Sequence, residues 1–395
     1  MVQTQDVNVQ DSIPKKIDEN DVDVQDSIPK KFDKIVVVAD FGGMGTKAIA
    51  SANKKDKNII LPIFMGSEIA NVSRSSIEIL EKETFSNYGE PEHRAWCGVK
   101  DAHYKVIGSL AEKFSGFTLL KPPKYELAIF KTLALLWVIK EKWNLPSKFA
   151  IYFGLLIPPG EYNDRFELEK LLKQACQSFN TPSGEMSVTL EDFDCKPESA
   201  GITLYLKNNP KYRFNQQNFS VVMLGYRNAS LITFKRGQPI NKYSSDLGMN
   251  FMIEKFRNFT CKKNPVSELL PIIVAANSDL ENANTYLNKL IDTTFINNTV
   301  SQLQRLKDGL HLSRAEYFEA LKNWLLEFIP FDNNIIVFCG GTAEFLRSEI
   351  HYFNGTRNNE MLIFDGIKPP NRIDKYSLKE RIYDLYCYYL YYLPT

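Results

Sequence analysis

A chain of 395 residues has room for two or three domains or for one large two-lobed unit, and at 44% hydrophobic it can bury a sizeable core. Its 48 basic and 47 acidic side chains leave a net charge of +1, which gives no basic footprint for direct nucleic-acid binding. No run approaches the roughly 20 apolar residues of a membrane-spanning helix, and the start lacks the basic-then-apolar pattern of a secretion signal, so a cytoplasmic location is expected.

The six cysteines (Cys97, Cys176, Cys195, Cys261, Cys339 and Cys387) stand singly, and the four histidines do not cluster. A zinc site or a disulfide framework is therefore not expected, and the thiols read as buried apolar groups.

In chain order, residues 1–34 come first and differ from the rest. Val9–Asp18 (VQDSIPKKID) recurs as Val24–Asp33 (VQDSIPKKFD) in a polar, charged stretch with few aromatics. Such a composition predicts a disordered tail. Its duplication is either without consequence or a short motif used twice to raise avidity for a partner. Order is expected from Lys34. Ile35–Ala39 (IVVVA), Phe149–Ile157 (FAIYFGLLI), Phe219–Leu224 (FSVVML) and Ile335–Phe338 (IIVF) read as strands buried on both faces. Tyr125–Trp143, Asn250–Phe259 and Ala315–Phe328 read as helices between them, and strands alternating with helices predict α/β layers. Ser377–Leu393, rich in tyrosine and leucine, reads as a last helix opened by a capping box of Ser377 and Glu380.

Chemically suggestive residues follow these strands. After the first comes Asp40-Phe41-Gly42-Gly43-Met44-Gly45-Thr46-Lys47. Glycines permit a tight turn whose backbone N–H groups converge on a phosphate, and Thr46 and Lys47 add a hydroxyl and a charge. Asp40 could hold magnesium through water. The spacing is neither the Walker nor the dinucleotide-binding pattern, and an ordinary glycine hairpin explains it as well. Phe338-Cys339-Gly340-Gly341-Thr342-Ala343-Glu344 is a strand followed by two glycines and a helix start. It would let a flat ring or a phosphate approach the backbone, or it is a plain turn. Met223-Leu224-Gly225-Tyr226-Arg227-Asn228-Ala229-Ser230 has the place of a second phosphate hairpin but no carboxylate. After Ile157, Pro158-Pro159-Gly160-Glu161-Tyr162-Asn163-Asp164 places Glu161 where a carboxylate could orient an attacking water; a lone surface acid is the plainer alternative.

The order of these pieces resembles the actin-like ATPase superfamily. Within it, Ile157–Asp164, Trp96–Lys113 (WCGVKDAHYKVIGSLAEK) and Ser245–Gly248 resemble ParM-like bacterial filament proteins, of a cyanobacterial-type branch. The resemblance runs from about Lys34 to the end. It implies an α/β, actin-like bilobed fold with two ribonuclease-H-like domains, residues 35–215 and 216–365, and residues 366–395 returning to the first. It implies ATP or GTP with Mg2+ in the cleft. Asp40 would position metal-bound water, Gly42, Gly43, Met44, Gly45, Thr46 and Lys47 would grip phosphates, and Glu161 would polarise the hydrolytic water. Gly225, Tyr226, Arg227 and Asn228 would contact phosphates from the other lobe, and Gly340, Gly341 and Thr342 would pack on the nucleoside, with Glu344 structural. Met223 stands where the family has an aspartate, and a thioether cannot hold hydrated magnesium. Slow hydrolysis and long-lived filaments are the expectation.

The resemblance further implies self-association into filaments, and a partner: a ParR-like DNA-binding adaptor for plasmid segregation, or an adaptor to membrane or division proteins for a cytoskeletal role. A small-molecule kinase or phosphohydrolase on the same fold is the alternative; it would need a catalytic aspartate after the second phosphate loop, and none stands out. A chaperone-like ATPase would need a substrate-binding domain beyond Thr395.

Overall fold

The computed structural model describes residues 34–54, 57–82, 89–99, 103–116, 124–279, 281–292, 298–354 and 359–392. The duplicated VQDSIPKK segment lies outside them.

Strands β1 (Ile35–Gly42), β2 (Gly45–Lys54), β3 (Lys57–Met65), β4 (Ile69–Val72), β5 (Trp96–Val99), β6 (His103–Ile107), β7 (Lys148–Ile157), β8 (Phe179–Thr181) and β9 (Gly184–Pro197) form a nine-stranded sheet. Its order is β3-β2-β1-β7-β9-β8-β5-β6-β4. Strands β10 (Asn218–Leu224), β11 (Ala229–Lys235), β12 (Gln238–Ser245), β13 (Ile335–Cys339) and β14 (Glu360–Ile363) form a second sheet of order β12-β11-β10-β13-β14. Each sheet has a parallel centre and an antiparallel hairpin at one side: β1, β7 and β9 run parallel with β1–β2 as the hairpin, and β10 and β13 run parallel with β10–β11 as the hairpin. One unit is thus built twice, which makes the molecule two α/β lobes.

Alternation along the central strands explains how the lobes join. Side chains of a strand point to opposite faces in turn. In β1, Val37 and Ala39 enter the first lobe's own core, while Val38 enters a separate apolar layer. In β10, Val222 and Leu224 face the second lobe's core, and Phe219 and Val221 face that same shared layer. Helices α1 (Lys124–Trp143) and α2 (Arg165–Cys176) cover the outer face of the first sheet. Residues 131–139 of α1 are buried without a break, as expected of a helix covered all round.

Helix α3 (Ala200–Asn208) links the lobes and supplies Ile202 and Leu206 to the shared layer. Helices α4 (Met249–Thr260) and α5 (Thr299–Phe328) cover the outer face of the second sheet. Helix α6 (Tyr383–Tyr392) supplies Leu385, Tyr388 and Tyr389 to the shared layer and crosses α3 there. The crossing is at backbone contact. A Cβ added to Gly201 would lie 2.0 Å from the Asp384 carbonyl oxygen and 2.6 Å from Tyr388 N, so only glycine fits. Strands β4–β6, the helix Arg74–Lys82 and the short helix Ser109–Glu112 form a small annexe with its own core of Ile77, Leu80, Trp96, Val106, Leu110 and Ala111.

Two expectations need correction. The last helix starts at Tyr383, and the capping box at Ser377 does not form. Ser377 has a φ of 52° and Lys379 one of 52°, both left-handed, so the chain turns there. The carboxylate of Asp374 accepts the Leu378 and Lys379 amides at 2.5 and 2.9 Å, which is the task the box would have done. Among the cysteines, Cys261 is exposed, because it ends α4 with a φ of 58° and leads the chain away from the core; the other five are buried.

Candidate functional site

In open α/β sheets, ligands bind beyond the carboxyl ends of the parallel strands. Here the two sheets bring five such ends together. Asp40 of β1 pairs in register with Leu156 of β7, and Ile157 of β7 with Pro197 of β9, so Asp40, the Pro158–Asp164 segment and Glu198 lie along one edge. In the other lobe, Met223 of β10 pairs with Cys339 of β13, which sets the Gly225–Asn228 turn beside Gly340.

The first loop is a hairpin in which Asp40 faces Lys47, Phe41 faces Thr46 and Gly42 faces Gly45, with Gly43 and Met44 at the turn. Gly45 has a φ of 151° and lies against the Phe64 ring, where a Cβ would come within 2.4 Å. Lys47 Nζ lies 2.5 Å from Asp40 Oδ2 and donates to the Arg381 carbonyl at 2.8 Å. The ammonium thus neutralises the acid at the strand end and ties the hairpin to the segment before α6. Thr46 is fully buried, and its hydroxyl has no hydrogen-bond partner among the described residues.

The second hairpin pairs Met223 with Ser230 and Leu224 with Ala229, closed by Gly225 N donating to Asn228 O at 2.9 Å. The carbonyls of Gly225 and Tyr226 accept the Met249 and Asn250 amides, which docks the hairpin on the start of α4. Tyr226 packs toward the second lobe's core, where its hydroxyl donates to Asn250 Oδ1 at 2.8 Å and burial pushes its pKa up to about 12. Arg227 turns the other way, toward the first lobe. Met223 Sδ lies 3.8 Å from Cys339 Sγ, in the floor between the lobes.

Gly340 has a φ of 92°, and a Cβ there would meet the Leu224 carbonyl oxygen at 2.5 Å. This glycine lets the β13 turn pass tightly over the hairpin. Thr342 Oγ1 donates to Gly225 O at 3.0 Å, and Gly341 lies against the Arg381 side chain. Glu344 pairs with Arg347.

Glu161 sits in a short 3-10 helix, Pro159–Asp164, that spans to the second lobe. Its carboxylate is 3.7 Å from Arg227 Nη1. Beside it, Gly160 N donates to Ser244 Oγ at 3.1 Å, and Lys242 Nζ lies 4.2 Å from the Tyr162 ring centroid. These three contacts clasp the two lobes together.

Two acids that the sequence alone did not single out belong to this edge. Glu198 follows β9 directly and accepts from Ser230 Oγ of the second hairpin at 3.5 Å. Asp384 of α6 is buried beneath, where both its oxygens accept backbone amides. Burial pushes its carboxyl up to about 7, against the two amide donors, and the negative charges of Asp40 and Glu198 add to the rise. The signal for Glu198 lies in its neighbours: a proline ending a strand, then an acid and small residues opening a helix.

No helix among the described residues is long and apolar enough to cross a membrane. No protein-family model and no curated protein matches the chain. Solved structures do. A ParM filament from Clostridium botulinum is 14% identical, with 91% of this chain and 99% of that one covered and a TM-score of 0.58. A non-polymerisable quadruple mutant of pCBH ParM is 12% identical over 90% of this chain and 98% of that one, TM-score 0.53. An archaeal actin homologue is 15% identical over 90% and 97%, TM-score 0.50. Two repeated α/β lobes, crossed hinge helices and alignment along nine-tenths of the chain establish that this protein has the bilobed actin-like fold, as found in ParM.

Proposed function

We propose that the chain is a nucleotide-dependent, filament-forming actin-like protein with slow hydrolysis, acting through an adaptor in plasmid or DNA segregation or as a bacterial cytoskeleton. The observation that carries this reading is the pair of glycine hairpins, Gly42–Gly45 and Gly225–Asn228, each following a parallel strand at its carboxyl end, one in each lobe. A triphosphate between them would meet backbone N–H groups from both sides, with Lys47 and Arg227 for its charge. Gly340, Gly341 and Thr342 would form the floor for the nucleoside.

The donor set suits magnesium rather than a transition metal. The described residues hold no group of three or more His, Cys, Asp or Glu side chains placed for a metal. Magnesium keeps most of its water and needs only one or two carboxylates besides phosphate oxygens. Asp40 would hold such an ion through water, and the ion would supply charge neutralisation at the phosphates. Glu161 would polarise the hydrolytic water, or Glu198, between the lobes and bonded to Ser230, would do so while Glu161 holds Arg227. Met223 offers no oxygen, which supports slow turnover. The self-contact that builds the polymer is carried over from the ParM filament as a proposal, as is the adaptor, ParR-like or membrane-linked. Near-neutral charge is compatible with either cargo.

Titration with a fluorescent ATP or GTP analogue, with and without magnesium, tests the site. Saturable binding that weakens on Lys47→Ala and Arg227→Ala is expected. Absence of binding to both nucleotides would remove the basis for the reading.

A further inference from the structure

Arginines that are largely buried in this molecule are otherwise well matched. Arg314, with 19% of its side chain exposed, donates to Glu349, Asn277 and the Phe345 carbonyl oxygen. Arg257 donates to Glu254 and to the Asn264 carbonyl oxygen. Arg94 has an ion pair of 3.7 Å, and it lies on the Trp137 ring, 5.2 Å from the centroid. Arg227 has neither a side-chain hydrogen bond nor a ring among the described residues, although only 13% of its side chain is exposed. Its Nε is buried without an acceptor, and Glu161 Oε1 stands 3.7 Å from Nη1, beyond hydrogen-bond reach. A guanidinium carries five N–H donors in a flat fork and keeps its charge. Holding one largely out of water with its donors unmatched is unfavourable, so this cation gains from an acceptor.

The backbone beneath it is fixed. The Gly225 and Tyr226 carbonyls accept the Met249 and Asn250 amides, the Tyr226 hydroxyl bonds inside the second lobe, and a Cβ at Gly248 would lie 2.3 Å from the Arg227 carbonyl carbon. A rigid turn of the second lobe thus carries a side chain that reaches an acid of the first lobe and is loosely held there. Lys47, the cation of the other hairpin, differs. Asp40 and the Arg381 carbonyl oxygen already engage its ammonium at 2.5 and 2.8 Å.

A flat fork matches two oxygens at once, those of a carboxylate or of a phosphate. Both acids that would orient the attacking water lie at this hairpin: Glu161 pairs with Arg227, and Glu198 accepts from Ser230. Such a water stands beside the terminal phosphorus, which sets the terminal phosphate next to the fork. We infer that Arg227 senses the triphosphate by exchanging Glu161 of the first lobe for the terminal phosphate of a bound nucleotide, so that triphosphate and diphosphate leave the lobes joined differently. The inference rests on the reading of this edge as a nucleotide site. Glu161 and the phosphate compete for one guanidinium, so Glu161 opposes triphosphate binding to the extent that it holds Arg227.

Affinities of the full chain for a non-hydrolysable triphosphate and the matching diphosphate, of adenosine and of guanosine, are measured with magnesium by displacement of a fluorescent nucleotide. Arg227→Lys keeps the charge and loses the fork, and Arg227→Gln loses both. Each should lower triphosphate affinity about tenfold or more, with diphosphate affinity changed less than about threefold. Glu161→Gln should raise triphosphate affinity about threefold, and should lose that effect in the Arg227→Gln background. Equal losses for both nucleotides, or none, in the Arg227 variants would overturn the assignment. So would a Glu161→Gln effect that is absent, reversed or independent of Arg227. If Arg227→Gln does not fold, Arg227→Lys replaces it in every comparison. These failures in a chain that binds nucleotide overturn the assignment alone; a native chain that binds neither triphosphate nor diphosphate overturns the nucleotide reading, and the assignment with it.

Discussion

Met223 turns a thioether toward Cys339, at the point of β10 where the second hairpin opens onto the cleft. Its register partner Ser230 donates to Glu198, and the charges of Asp40 and Glu198 act on Asp384, so the acids of the site are supplied from the other lobe and from α6. A carboxylate at 223 would complete a pair with Asp40 across the two hairpins. Met223→Asp should raise phosphate release at saturating ATP and magnesium by about tenfold or more, equivalent to about 1.4 kcal/mol of barrier; an unchanged rate would show that the residue does not limit hydrolysis. Glu198→Gln should lower release by a similar factor while leaving nucleotide affinity in place.

Asp384 makes a prediction about pH. It is faced by Asp40 from β1, Glu198 from the end of β9, Cys339 from β13 and Cys387 from its own helix. Its pKa of about 7 in the folded chain lies above the about 3.9 of an unfolded aspartate. Between those values the folded state holds a proton that the unfolded state lacks, so this group's contribution is fully present below about pH 4 and is lost as pH rises from there through about 7. The stability advantage of the native chain over Asp384→Asn should therefore shrink from pH 5 to pH 8 in denaturant melts. A difference that does not change with pH would contradict the buried acid.

At the scale of elements, the crossing of α3 and α6 is the tightest joint in the molecule. Gly201→Ala must push the two backbones apart, since a methyl would sit 2.0 Å from a carbonyl oxygen. Overpacking of this kind costs about 1–3 kcal/mol, read as a lower midpoint in urea; a midpoint unchanged within error would mean that the helices do not pack as closely as described. The elements that sequence made legible are those whose pattern is local. The IVVVA, FAIYFGLLI, FSVVML and IIVF runs became β1, β7, β10 and β13 because strands covered on both faces must be apolar throughout. The hairpins were legible as glycine-rich turns after such strands. Strand β9 was not, because its GEMSVTLEDFDCKP has alternating acids on a half-exposed face. Glu198 and Asp384 were hidden with it: each is one acid among many in sequence, and only the meeting of β9, α3 and α6 in space gives it a task. The start of α6 was misplaced because Ser377 and Glu380 have capping-box spacing, while Asp374, further back, captures the amides.

At the scale of the whole molecule, two lobes share one apolar layer and also touch through polar groups. Glu161 with Arg227, Gly160 with Ser244 and Tyr162 with Lys242 join the lobes. Polar contacts of this sort are exchangeable, whereas the shared core of β1, β10, α3 and α6 is not, so opening should rotate the lobes about the crossed helices. A nucleotide that touches both hairpins would favour the closed state in proportion to its preference for it. Head-to-tail contacts between closed molecules would then propagate without closing into a ring. The most direct test is to mix the purified chain with magnesium and ATP, GTP, a non-hydrolysable analogue or no nucleotide, sediment it at high speed and image each sample by electron microscopy. Filaments that require nucleotide, and that persist with ATP nearly as long as with the analogue, are the predicted result. A chain that stays in the supernatant under every nucleotide, at concentrations well above micromolar and with residues 1–34 removed, would contradict it.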